Sequence, residues 1–162
     1  MKKYELTTNT KVWFGRKLFQ IKALISFGGV NVGELGGYIE KDENLSHDGD
    51  AWVSGDAWVS GNARVYGNAQ VYGDARVYGN AQVSDDARVS DDADYLFIGP
   101  IGSRSAFTTI FKCKDKTIKV VCGCFLGTID EFAAKVSETH GDNEHAKNYR
   151  AVIELAKAKF GV

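Results

Sequence analysis

The chain has little of what interrupts or staples a fold. Pro100 is its one proline, and no apolar run approaches the ~18 residues that a membrane-spanning helix needs. Cysteine occurs at Cys113, Cys122 and Cys124 only. That odd number, with no apolar stretch after Met1-Lys2-Lys3-Tyr4-Glu5 to act as a secretory signal, favours reduced thiols in a cytoplasm over a disulfide framework. Excess charge is lacking too: 20 Lys and Arg stand against 21 Asp and Glu, a formal net charge of −1. A chain so balanced has no broad basic footprint for long nucleic acid. No C-x-x-C pair occurs, and the few histidines lack the spacing of a zinc hydratase, so no metal is expected. Cys122 and Cys124 read as small core residues sharing a strand face with Val120.

Glycine is plentiful, and many glycines fall on a strict period. Gly49-Asp50-Ala51-Trp52-Val53-Ser54 is followed at once by Gly55-Asp56-Ala57-Trp58-Val59-Ser60, and the pattern runs through seven six-residue units to Ser90. Gly followed by Asp or Asn is turn chemistry, because both tolerate positive φ. In the Ala-x-Val that follows, Ala and Val share one face of a strand, and the residues between and after them point outward. One unit cannot bury its own apolar face, so the units must stack. Asp85, Asp86, Asp91, Asp92 and Asp94 fall at or beside these turns and read as solvated rather than as calcium ligands.

The units resemble the hexapeptide repeat of left-handed parallel β-helices, with Val at the aliphatic position and Ala at the small one. The resemblance implies triangular coils of 18 residues, about three of them, wound left-handed. Trp52, Gln70 and Arg88 then form one outward ladder. Trp58, Arg76 and Asp94 form another, with Arg over Trp as a cation–π contact. Tyr66, Tyr72 and Tyr78 occupy three different faces. Upstream, Ile39 and Leu45 keep the spacing of six, and a two-residue insertion falls near Ser46-His47-Asp48.

Residues 11–14 and 18–25 read as a hairpin about Gly15-Arg16, a cap for one open end of the helix. After the array come strands at 95–98, 106–112 and 117–125. Thr128-Ile129-Asp130-Glu131 is a capping box that opens a helix, and Asp142 or Asn143 starts a second. The fold class is therefore mainly β with an α+β C-terminal module. Its divisions are a hairpin cap over 1–38, a β-helix over 39–94 and a ligand-binding module over 95–162.

Two segments of that module suit an anion. Gly102-Ser103-Arg104-Ser105, running on to Thr108-Thr109, sets a guanidinium among hydroxyls. Gly127-Thr128 offers the free amides of a helix start. His140 and Tyr149 stand near enough in sequence to add hydrogen bonding or stacking. The bland alternative is a surface arginine, an ordinary cap and ordinary strand threonines. His47 invites comparison with the loop histidine that serves hexapeptide acyltransferases as a general base. As an exposed turn residue it needs no such role.

Over nearly its full length the chain also resembles a loosely described group of phage and prophage hexapeptide-repeat proteins. The likeness rests on Gly33-Glu34-Leu35-Gly36-Gly37-Tyr38-Ile39-Glu40, Gly102-Ser103-Arg104, Cys122-Gly123-Cys124-Phe125, Gly127-Thr128 and Glu138-Thr139-His140-Gly141. It implies a cytoplasmic accessory protein of an infected or lysogenic bacterium, and the resemblance to β-helix proteins implies a homo-oligomer, a trimer. The expectation is a non-enzymatic binder of a small phosphorylated molecule or nucleotide without cofactor, by analogy with phage sponges that hold nucleotide immune signals. The alternatives are an acyltransferase using His47 and a phage structural protein without ligand.

Overall fold

The computed structural model describes residues 1–162 as two compact units, Met1–Ala93 and Asp94–Val162. The chain is mainly β, with two helices near its C-terminal end.

The first unit begins with a long hairpin, β1 (Tyr4–Trp13) and β2 (Arg16–Ala23). Its turn residues are Phe14 and Gly15, one position earlier than the sequence placed them. β3 (Leu35–Ile39) pairs antiparallel with β2. Seven two-residue strands follow, each starting six residues after the last: β4 (Trp52–Val53), β5 (Trp58–Val59), β6 (Arg64–Val65), β7 (Gln70–Val71), β8 (Arg76–Val77), β9 (Gln82–Val83) and β10 (Arg88–Val89). They pair in parallel with partners 18 residues on, Trp52 with Gln70 and Gln70 with Arg88 on one face, Trp58 with Arg76 and Arg64 with Gln82 on the other two. That is a solenoid of parallel rungs. Upstream the register lengthens to 20, with Ile39 beside Val59 and Leu45 beside Val65, as the two-residue insertion requires.

The interior explains the composition. The repeat alanines and valines from Ala51 to Val89 are all fully or almost fully buried. The turns admit only glycine where rungs stack closest. At Gly49, φ is +68° and an added Cβ would sit 2.5 Å from the Gly67 carbonyl oxygen.

In a solenoid each rung donates its N–H groups to the carbonyls of the next, so the first rung's carbonyls face nothing. Here they are met by side chains. Lys3 Nζ donates to the Gly49 and Ala51 carbonyls at 3.1 and 2.8 Å. Tyr4 Oη donates to those of Asp42 and Leu45, and Asn44 Nδ2 to those of Gly61 and Ala63. β2 meanwhile covers the open edge of β3.

Burial drives the Lys3 pKa down from 10.5 to about 8, against the opposing pull of Asp50 and Asp48. Between those values the unfolded chain keeps a proton that the folded chain has shed, so this residue's contribution to stability rises with pH. Burial raises the Tyr4 pKa, which works the other way above pH 10. Urea unfolding from pH 8 to 10 should therefore show a positive stability slope that Lys3→Met lacks. Equal slopes would contradict the assignment.

Arg76 follows Trp58 in its ladder as expected, and its guanidinium sits 5.9 Å from the Trp13 ring, which β1 brings across the ladder. Arg76 Nε donates to the Asp92 carboxylate at 2.9 Å, where the rung pattern gives way to a 3-10 turn at Asp92–Asp94. One expectation changes in this unit. His47 is not an exposed turn residue. It is half-buried and stacked on Tyr4 at 4.2 Å, with Nδ1 accepting from the Lys3 amide and Nε2 against the Asp42 carboxylate. Both ring nitrogens are occupied in holding the end of the solenoid.

The second unit is an antiparallel meander of β11 (Tyr95–Ile101), β12 (Ala106–Lys112), β13 (Ile118–Cys122) and β14 (Phe125–Thr128). Helices α1 (Ile129–His140) and α2 (Glu144–Phe160) bury Phe132, Val136, Tyr149, Val152 and Ile153 in one core with Ile110, Ile118 and Val120. Thr128 and Glu131 form the expected capping box, and Asn143 caps α2. The expected single strand over 117–125 is in fact a hairpin. It turns at Gly123, with φ +61°, and Cys124, so the two cysteines do not share a buried face. Cys124 is exposed, Cys122 is half-buried and Cys113 is the buried one.

Candidate functional site

The register of the second unit decides what meets what. Thr108 lies opposite Cys122, and Cys122 opposite Phe125, so the Gly102–Ser105 turn and the Gly123-Cys124 turn share one end of the sheet. Phe111 lies opposite Lys119, and Lys119 opposite Thr128, so Gly127-Thr128 belongs to the other end. The structure thus does not join the two anion-suited segments of the sequence. Helix α1 starts at the Thr128 end and runs 12 residues, about 18 Å. That length carries its C-terminal half, with Lys135, Thr139 and His140, back to the arginine turn.

A cavity of about 210 Å³ forms there. Phe125, Phe132 and Tyr149 supply its apolar wall, with Phe132 edge-on to Tyr149 at 5.5 Å. Ser103, Arg104, Lys135, Thr139 and His140 supply its polar rim. No carboxylate lines it. Arg104 is exposed and makes no hydrogen bond or ion pair within the chain, so its five donors are open to a ligand. Lys135 has only a loose contact with Glu138, at 3.9 Å.

Tyr149 organises the interior. Its hydroxyl occupies the space beside Gly102, where an added Cβ would collide with the hydroxyl oxygen and two ring carbons, and φ at Gly102 is +80°. No other residue fits that turn. The Cys122 thiol approaches the Tyr149 oxygen at 3.8 Å and accepts from Thr108 Oγ1 at 3.4 Å. Burial and the neighbouring Cys122 push the Tyr149 pKa up to about 12, with Arg104 opposing. The phenol therefore stays protonated at neutral pH and can donate. His140 stacks on its ring at 5.8 Å.

Of the residues read from sequence, Ser103, Arg104, His140 and Tyr149 come together in this cavity. Ser105 closes the same turn, its amide donating to the Gly102 carbonyl. Thr108 is buried in β12 and stands behind the wall, where it donates to Cys122 Sγ, whereas Thr109 is buried on the opposite face of that strand and does not meet the cavity. Gly127 is buried, and Thr128 borders a separate cavity with Lys116, Thr117 and Lys157. Lys135, Thr139, Cys122, Phe125 and Phe132 were missed. The length of α1 would have found the first two. No three His, Cys, Asp or Glu side chains converge as a metal-holding group.

Fold and register together define a solenoid repeat protein followed by a small α+β module. Within it, residues 57–69, 69–83 and 81–93 match the model of the YdcK beta solenoid repeat. That match lies wholly in the first unit and supports its reading as a β-solenoid repeat. No curated protein matches the chain.

Proposed function

We propose that the chain is a binding protein for a small phosphorylated molecule of the nucleotide class, held in the cavity of the second unit. One observation carries this reading: an unpaired guanidinium at the mouth of an aromatic-walled cavity that no carboxylate lines. Arg104 meets the phosphate, with Ser103 and Lys135 beside it. His140 and Tyr149 face the ring that carries it. At about 210 Å³ the cavity falls below the ~300 Å³ of a drug-sized site. It suits one phosphate-bearing ring better than a whole dinucleotide.

In this reading the repeat region is a left-handed scaffold of about three coils. It sets a homo-oligomer, a trimer by analogy with proteins of its shape, and the exposed ring of Tyr72 offers a contact. Holding the ligand without turning it over would suit a phage accessory protein that sequesters a nucleotide signal in the cytoplasm of its host. The test is calorimetric titration of the intact protein with nucleoside monophosphates and cyclic nucleotides, followed by recovery of the ligand. Saturable binding with intact ligand supports the reading. Recovery of a cleaved product would overturn its non-enzymatic part.

A further inference from the structure

The hairpin of the first unit makes a choice that costs stability. Phe14 and Gly15 both have positive φ, 46° and 76°. That is the backbone of a tight hairpin turn whose first position favours asparagine. A bulky aromatic residue is strained there. The residue is also 89% exposed, so it gains little from burial. Strain and exposure at one aromatic residue point to a purpose outside the fold.

The ring stands at the edge of a cleft of about 540 Å³. Trp13 and Phe14 on the hairpin form one wall, and Trp58 and Tyr78 on the solenoid form another. Trp13 and Trp58 lie 5.6 Å apart at 49° and Trp58 and Tyr78 6.4 Å apart at 39°, so tilted aromatic rings succeed one another along the cleft. Beside them Asn62 Nδ2 donates to Asn80 Oδ1 at 3.2 Å, which leaves the Asn80 amide N–H groups unused.

Charge separates this cleft from the cavity of the second unit. Both of its guanidiniums are already answered: Arg16 holds the two oxygens of Glu40 at 2.9 Å each, and Arg76 Nε holds Asp92 at 2.9 Å. With its cations paired, the cleft has no excess charge to offer an anion. It offers flat apolar faces and amide hydrogen bonds side by side. A sugar ring matches both, with C–H bonds on its faces and hydroxyls around its rim.

We propose that the cleft between the hairpin tip and the solenoid face is a second binding site, for an uncharged saccharide whose successive rings stack on Trp13, Phe14 and Trp58.

The experiment titrates the full chain with neutral trisaccharides of glucose and of N-acetylglucosamine, and with a uronic-acid trisaccharide, following tryptophan emission. At least one neutral sugar should shift the emission saturably, and the uronate should not compete. Phe14→Asn should weaken that binding by about tenfold, the scale of one lost aromatic contact. It should melt at or above the wild-type temperature, because asparagine relieves the turn. Asn80→Ala should weaken binding without changing the melting temperature. No response to any neutral sugar, undiminished binding by Phe14→Asn, or equal binding of the uronate would each overturn the proposal. So would a lower melting temperature or a changed oligomeric mass in Phe14→Asn, since the ring would then serve packing or self-association.

Discussion

Arg104→Ala is expected to weaken binding of a phosphorylated ligand by between about tenfold and about a hundredfold, the worth of one or two charge-assisted hydrogen bonds. The protein should melt as the wild type does, because the side chain is exposed and touches nothing that folding needs. Arg104→Lys should recover only part of the affinity, since an ammonium keeps the charge but loses the planar fork. Thr128→Ala provides the contrast. It removes the hydroxyl that accepts from the Glu131 amide at 3.2 Å, a loss of about 1 kcal/mol of stability, and should leave affinity unchanged. Calorimetry and thermal melting on the same samples separate the two. Equal affinity in Arg104→Ala and the wild type would remove Arg104 from the site.

Val71→Asp is expected to do the most damage to the first unit. Val71 is fully buried and lies between Val53 below it and Val89 above it. A carboxylate there has no counter-ion and no hydrogen-bond partner among the stacked valines. An unpaired buried charge costs about 3–5 kcal/mol, a large share of the ~5–15 kcal/mol that holds a domain together. Trp52 and Trp58 should lose their native emission in this variant at neutral pH. Acidification below the carboxylate range should restore part of it, because the neutral acid is cheaper to bury. A melting temperature within a few degrees of wild type would mean that the valine column is not the core.

Much of the first unit is legible in the sequence because its physics is local and repeated. One six-residue unit states the turn, the inward pair and the outward pair, and repetition fixes the register. Even the insertion is visible, as eight residues from Leu45 to Val53, and it reappears as the 20-residue register of Ile39 with Val59. The hairpin over the open end was legible, but the side chains that meet its carbonyls were not. Lys3, Tyr4 and Asn44 reach carbonyls that only the completed first rung leaves unpaired. Nothing near them in sequence marks that need. The same distance hid the placing of His47.

In the second unit, Thr128 to Glu131 and Asn143 announced the helices, because caps are local. The site was half legible. Ser103 and Arg104 stand out as polar turn residues, yet their partners come from the far end of α1, which only strand register and helix length bring near. The Gly123-Cys124 turn escaped notice because an apolar run with one glycine reads as a single strand. That error put Cys124 in the core, where it is in fact exposed, and brought the helix start to the arginine's end of the sheet, whereas it lies at the other end.

The most direct measurement is calorimetric titration of the wild-type chain with a nucleoside monophosphate and with the same nucleoside lacking its phosphate. The account predicts saturable binding of the monophosphate at one per chain, weakened by added salt, and little heat from the nucleoside. Equal binding of the two, or none by the monophosphate or its cyclic counterpart, would contradict it.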